Sequence, residues 1–365
     1  MRSRRLRSRQ NRGSALLMVT VAIAALISFA IIAIDGAVLM TTKGQLQKAA
    51  DAAALAGASG LLAADEAEAT DRAIAFAGFN RAVQDSMRDV VITPDDVSFP
   101  EADHIRVTTH RTAATGDPLR TYFRRIVDPF NSNTADVTAV AEAWCYDVCE
   151  TPCLKPWSIP DRWNDVNANN KYDAGEAYDP DVTGYKAPGD IGLSIVLKVG
   201  NPQQAIERGV FFPVCYPPLD YPGEKPLSGG EWYRTWISEC EPYLVGPGDR
   251  LQTETGNKSG PTRQGVAALL AQDPGARWNA SSGTVVNSAY GTSPRIVLVP
   301  FFDPTRPPTS GGSWVHVTRV GAFFIEGQNG QGDVVGRFMK ITTQGLPCPG
   351  GGNGSSMVKG IGLIE

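Results

Sequence analysis

Residues 15–34 read ALLMVTVAIAALISFAIIAI, and residues 43–62 follow as KGQLQKAADAAALAGASGLL. The first string has 20 residues and no charge, and only Thr20 and Ser28 are polar. As a helix it spans about 30 Å, the hydrocarbon thickness of a bilayer. A helix in a soluble core normally keeps a polar stripe, and this one has none. A cleaved signal peptide would have a shorter apolar region and a small-residue cleavage site, whereas this run passes straight into Asp35-Gly36-Ala37. The reading is a transmembrane helix over residues 14–35. A basic head, residues 1–13, precedes it and carries Arg2, Arg4, Arg5, Arg7, Arg9 and Arg12. The positive-inside rule keeps that head in the cytoplasm and places the bulk of the chain outside it.

The second string is rich in alanine, the strongest helix former. Leu46, Ala50, Ala53, Gly57 and Gly60 recur at three- to four-residue spacing and make a narrow face that admits another backbone closely. Gln45, Lys48 and Asp51 share a different face. The pattern fits either an ordinary surface helix or an assembly face for a homo- or hetero-oligomer. Downstream, periodicity predicts a helix over 69–83, strands over 90–93 and 105–109, a short helix over 121–127 and a strand over 137–144. Residues 36–144 contain no cysteine, and residues 36–145 read as one α+β module.

From Trp144 onward the composition changes. All six cysteines and all seven tryptophans lie there, with dense proline and glycine. Strands are predicted over 191–199, 293–300, 315–325 and 334–342, and a helix over 265–271. Residues 146–345 thus form a β-rich domain. The tail, residues 346–365, opens with LPCPGGGNGSS, flexible by composition, and ends in residues 361–365 as a closing strand. The fold class is α+β throughout.

The chain carries a net charge of -4. Without the six N-terminal arginines the remainder stands at -10, which excludes a nucleic-acid-binding body. Cys145, Cys149, Cys153, Cys215, Cys240 and Cys348 all fall on the side read as extracytoplasmic, where three disulfides are expected. A zinc or iron–sulfur site at the C-x3-C-x3-C run fits poorly, because His104, His110 and His316 all lie elsewhere.

The strongest chemical signal is DVNANNKYDAGE, residues 165–176. Counting Asp165 as position 1, oxygen side chains fall at Asp165, Asn167, Asn169, Asp173 and Glu176, and Lys171 at position 7 offers its carbonyl. That is the ligand schedule of a calcium loop. Asn170 holds position 6, which needs a left-handed backbone that asparagine tolerates. With Pro160 and Pro180 flanking it, the loop is read as an isolated structural Ca2+ site. The alternative is a polar turn rich in Asn and Asp. No nucleophile elbow, P-loop, dinucleotide fingerprint or HExxH motif occurs, and no catalytic residues are expected. Trp232 and Trp236 could form a sugar platform or lie in a core.

Taken together, the Arg-Gly entry, the apolar helix ending Ala33-Ile34-Asp35-Gly36 and the string LQKAADAAALAGA over residues 46–58 resemble the TadG-like family of tight-adherence (Flp) pilus-assembly proteins. Residues 36–145 then correspond to its pilin-like module. The 153–157, 256–261 and 295–300 segments are similar to the distal part of some members. The resemblance implies an inner-membrane, single-pass protein facing the periplasm and a non-enzymatic role in pilus assembly or anchoring. It implies other Tad/Flp assembly proteins or minor pilins as partners, and surface attachment as the outcome. Two departures stand out. No von Willebrand factor A metal motif is present, since Asp190-Ile-Gly-Leu-Ser194 misses it. Prepilin-type cleavage after Gly13 would want a glutamate where Met18 stands. The alternative function is a membrane-tethered binding domain, for example for glycan.

Overall fold

A computed structural model describes residues 12–63, 65–83, 86–122, 133–201, 204–256 and 258–364. The chain divides into two compact units, Met1–Cys145 with Ile361–Glu365, and Tyr146–Gly360. The α+β class and the long apolar N-terminal helix are borne out.

In the first unit, α1 (Arg12–Gly60) is one unbroken helix of 49 residues, about 74 Å long at the standard rise. Its apolar half is exposed along its described length, so it needs an apolar solvent. The two polar residues there return their hydroxyls to the helix: Thr20 donates to the Leu16 and Leu17 carbonyls and Ser28 to that of Ala24. No polar group is left for lipid to solvate.

The Ala-rich half of α1 packs on α2 (Glu66–Gly78). A Cβ on Gly60 would lie 2.5 Å from the Ala69 Cα, and one on Gly57 would lie 2.3 Å from Ile105 Cδ1. The two helices therefore meet backbone to backbone. α2 begins earlier than its apolar period suggests because the Asp65 carboxylate accepts the Ala67 and Glu68 amides. It ends at Gly78, and β1 (Arg81–Val83) turns into β2 (Met87–Asp89). The strand expected at 90–93 is extended but unpaired in any sheet. Its alternation reports burial, with Val90 and Ile92 inside and Val91 out.

β3 (Val97–Ser98) lines the edge of β4 (His104–Arg111). After the short pair β5 (Leu119–Arg120) and β6 (Thr134–Ala135) comes β7 (Val137–Glu150), whose first half pairs with β4 from His104↔Trp144 to Arg111↔Val137. Alternate residues Ile105, Val107 and Thr109 meet Ala139, Ala141 and Ala143 in a core built from small side chains. Thr121 and Tyr122 are not helical, and the rest of the helix expected over 121–127 lies outside the described residues.

The second unit is a barrel. β8 (Trp157–Pro160), β9 (Ser194–Val199), β10 (Val210–Pro213), α3 (Gly230–Ser238), β11 (Arg250–Gln252), α4 (Ser259–Gln272), β12 (Arg277–Asn279), β13 (Thr284–Val286), β14 (Ile296–Phe302), β15 (Trp314–Gln328) and β16 (Val334–Met339) follow in order. The ring runs β15-β14-β8-β10-β9-β16 and closes where β16 pairs back on β15, and β11 extends the far end of β15. The 15-residue β15 makes closure possible by serving two neighbours along one edge and a third on the other. Rings fill the interior: Trp157, Phe211, Phe301, Phe323 and Phe338 are fully buried. Gly321 leaves room for the Phe301 ring, which a Cβ there would meet at 2.3 Å.

Arg295, buried at the mouth of β14, donates to the carbonyls of Asp273, Ala276, Ile325 and Glu326 and ties α4 to the barrel.

Beyond the ring, β17 (Ile341–Thr342) pairs in parallel with β19 (Val358–Ile364), the closing strand, and β18 (Leu346–Pro347) pairs with the end of β7. The segment between them is not slack, as its composition suggests. Cys348 is bonded to Cys149, and Ser355 accepts the Ala187 amide. The second bridge is Cys153–Cys240. The expectation of three disulfides is corrected to two. Cys145 lies in the core of the first unit, while Cys215 is a buried thiol of the second. Burial, with the Glu254 carboxylate adding to it, pushes that thiol up to about 12.

Candidate functional site

The loop at residues 165–176 closes on itself through its own carboxylates. Asp165 accepts the Asn169 and Asn170 amides through Oδ1 and Oδ2, at 3.1 and 2.9 Å. Glu176 accepts the Val166 and Asp173 amides, both at 3.0 Å, and so clamps the two ends. Asn170 adopts φ +61°, the left-handed turn that a sixth position of this kind requires. At position 7, Lys171 bridges in antiparallel fashion to Glu207, and the Arg208 amide donates to the Asn170 carbonyl. This pins the loop to the chain that leads into β10.

Inside the loop, the side-chain amides of Asn167 and Asn169 each donate to Asp173 Oδ2 at 2.8 Å. These bonds hold the Asp173 carboxyl below its usual range. A half-turn of either amide exchanges its NH2 for its oxygen, so the same three side chains could present oxygens to a cation. The Asp165 side chain is 3% exposed and has the Arg208 guanidinium 3.9 Å away. The three carboxylates of the loop are not gathered to ligand spacing. Among the described residues, the acid and histidine side chains whose ligand atoms all lie within 4.8 Å of one another are Glu101, Asp103 and His104. That group is accounted for by ion pairing: His104 Nδ1 lies 3.0 Å from Glu142, with Glu101 and Asp103 at 3.9 and 3.7 Å from Nε2.

The Ala-rich stretch of α1 is the second candidate. Its small-residue face, Leu46 to Gly60, is occupied by α2 and β4 of the same chain, so that face is not available for an oligomer. Its polar residues also serve the fold. Gln45 accepts the Val83 amide, and Gln47 donates to the Val140 carbonyl and to Asp51. Sequence reasoning missed one contact at the lower end of this helix, where Asp35 accepts the Tyr122 amide at 2.9 Å across 87 positions of chain.

Trp232 and Trp236, on α3, are both partly covered, 6.1 Å apart between centroids, with Tyr216 next to Trp232. The half-exposed tryptophan is Trp314, with the Arg250 guanidinium over its ring at 5.6 Å.

Among the described residues, one helix, α1, is long and apolar enough to cross a membrane. The model of the putative Flp pilus-assembly TadE/G-like family matches residues 13–60, which is α1 almost end to end. No curated protein and no solved structure matches the chain.

Proposed function

With a TadE/G-like helix at its N-terminus, we propose that this chain is a single-pass inner-membrane protein that assembles or anchors an Flp-type pilus without catalysing a reaction, and so supports surface attachment. The family match over α1 carries this reading. Six arginines ahead of the span favour a cytoplasmic head and a periplasmic body. Two disulfides on the far side of the span agree with an oxidising compartment. The partners are other Tad/Flp assembly proteins or minor pilins. Deleting the gene and imaging surface pili tests the proposal: loss of pili, restored by the intact gene, is expected, and normal piliation with normal attachment overturns it.

We also propose that residues Asp165, Asn167, Asn169, Lys171, Asp173 and Glu176 bind one structural Ca2+. The left-handed Asn170 and the amides poised at Asp173 support this. Calcium should stabilise the second unit relative to chelator by about 2.7 kcal/mol at a hundredfold excess over Kd, seen as a higher melting temperature. Glu176→Ala should abolish the difference. Identical melting of the wild type in both conditions makes the loop a polar turn.

A second functional reading, a tethered glycan-binding domain, is favoured by the surface around Trp314, where Asp220 holds Arg250 through two bonds of 2.9 and 2.6 Å. Binding to a glycan array that Trp314→Ala removes would favour it over the first reading.

A further inference from the structure

The apolar run of α1 ends at Ile34, and Asp35 is the first charged residue after it. If residues 15–34 cross the hydrocarbon, Asp35 stands at its outer edge, because 20 residues of helix match that thickness. Tyr122 is far from this point in sequence, yet its amide donates to the Asp35 carboxylate at 2.9 Å. The hydrogen bond therefore fixes Tyr122 to the depth of Asp35. Tyr122 as a residue is 61% exposed, as one that meets a second medium must be. Tyrosine is enriched at this depth because its ring suits the acyl boundary while its hydroxyl stays among headgroups.

We propose that the first unit rests on the lipid headgroup layer through Tyr122, which docks the folded body on the membrane it is anchored in. This rests on the transmembrane reading of α1. The occupant is a lipid surface because the exposed ring is continuous with the exposed apolar helix at its outer end. Among the described residues, the unit's other exposed aromatics, Phe76 and Phe79 on and just after α2, lie elsewhere. α2 runs antiparallel to α1, with Ala69 at Gly60 and Ala73 at Gly57, which carries Phe79 back only toward the middle of the Ala-rich stretch. Phe79 is thus more than roughly 20 Å above Asp35 along the helix. The consequence is mechanical: two points of contact, the span and Tyr122, fix the orientation of the unit to the bilayer, where a span alone would leave it free to tilt.

The test uses the full chain in lipid nanodiscs, with a fluorescent acridonylalanine in place of Leu26, Phe79 or Tyr122. Nitroxide is placed either on the headgroup or at mid-chain of the lipid. Headgroup nitroxide should quench position 122 several-fold more than position 79, and mid-chain nitroxide should quench position 26 most. Asp35→Ala, which removes the acceptor, should lower quenching at 122 and leave 26 unchanged. If 26 is quenched while 122 behaves like 79, Tyr122 faces water and the inference is overturned. If 26 itself escapes the mid-chain nitroxide, the transmembrane reading fails, and this inference fails with it.

Discussion

The two units solve the same packing problem with opposite materials. The first is built of alanine and glycine: Ala50, Ala53 and Ala58 of α1 share one buried core with Ala69, Ala73 and Ala77 of α2, and neither disulfide lies in it. The second is built of large rings around Trp157 and Phe301, stitched by two bridges. Small side chains bury little area each, so the first unit gains stability from close backbone approach and continuous dispersion contact. Rings bury 150–250 Å² each on average but demand loops and closure to bring distant strands together. The first unit should therefore be intolerant of added volume, and the second intolerant of lost cross-links.

The largest expected effect sharpens the second half of that comparison. Replacing Cys149 and Cys348 by serine opens a loop closed across 199 positions and should destabilise the second unit by about 4 kcal/mol. Hydrogen exchange should show faster opening in β14 and β15 and no change in α1. Faster exchange in both units alike would erase the contrast. Next comes Gly60→Leu, whose side chain must enter the Ala69 backbone; about 3 kcal/mol is expected, confined to the first unit. A second-unit melting transition that moves with it would contradict the division.

A smaller effect distinguishes the units by pH. Burial raises the Asp161 carboxyl to about 6 and the Glu241 carboxyl to about 7, against ordinary values near 4. An acid whose folded pKa is raised is harder to ionise in the folded state. The second unit should then lose stability as pH rises from about 4 through 7. In the first unit Asp96 is shifted the other way by hydrogen bonds from the Thr93 amide and His110, and Glu142 by those from His104 and Arg106. Urea midpoints at pH 5 and 7.5 measure the slope, and Glu241→Gln should flatten its upper part. A midpoint higher at pH 7.5 for the second unit would refute the assignment.

The comparison also explains what could be read from the residues alone. α1 was legible because composition by itself, an uncharged run followed by an alanine run, dictates helix. Its small-residue face was legible too, but not its occupant, since the period of one helix does not say which backbone meets it. Four strands of the barrel, β9, β14, β15 and β16, were found as runs of β-branched residues, while the four-residue β8 and β10 were missed. The ring β15-β14-β8-β10-β9-β16 could not be read at all, because pairing between distant strands leaves no local pattern. α3 was missed because its nine residues include Gly230 and two tryptophans at helical spacing, too short a window to reveal a period. The glycine-rich tail misled for a related reason: composition reports the freedom of the unfolded chain, not the Cys149–Cys348 bridge that removes it. In the loop at 165–176, the turn chemistry was readable down to the conformation of Asn170, while the spacing of its carboxylates was not.

The central claim is that α1 does two jobs in one helix, anchoring with residues 15–34 and folding with residues 43–60. Alkaline carbonate extraction of membranes tests it most directly, comparing the full chain with one beginning at residue 36. The full chain should stay in the membrane pellet, and the shortened chain should be released with both units still protected in hydrogen exchange. Release of the full chain, or loss of protection in α2 and β4 of the shortened one, would contradict the account.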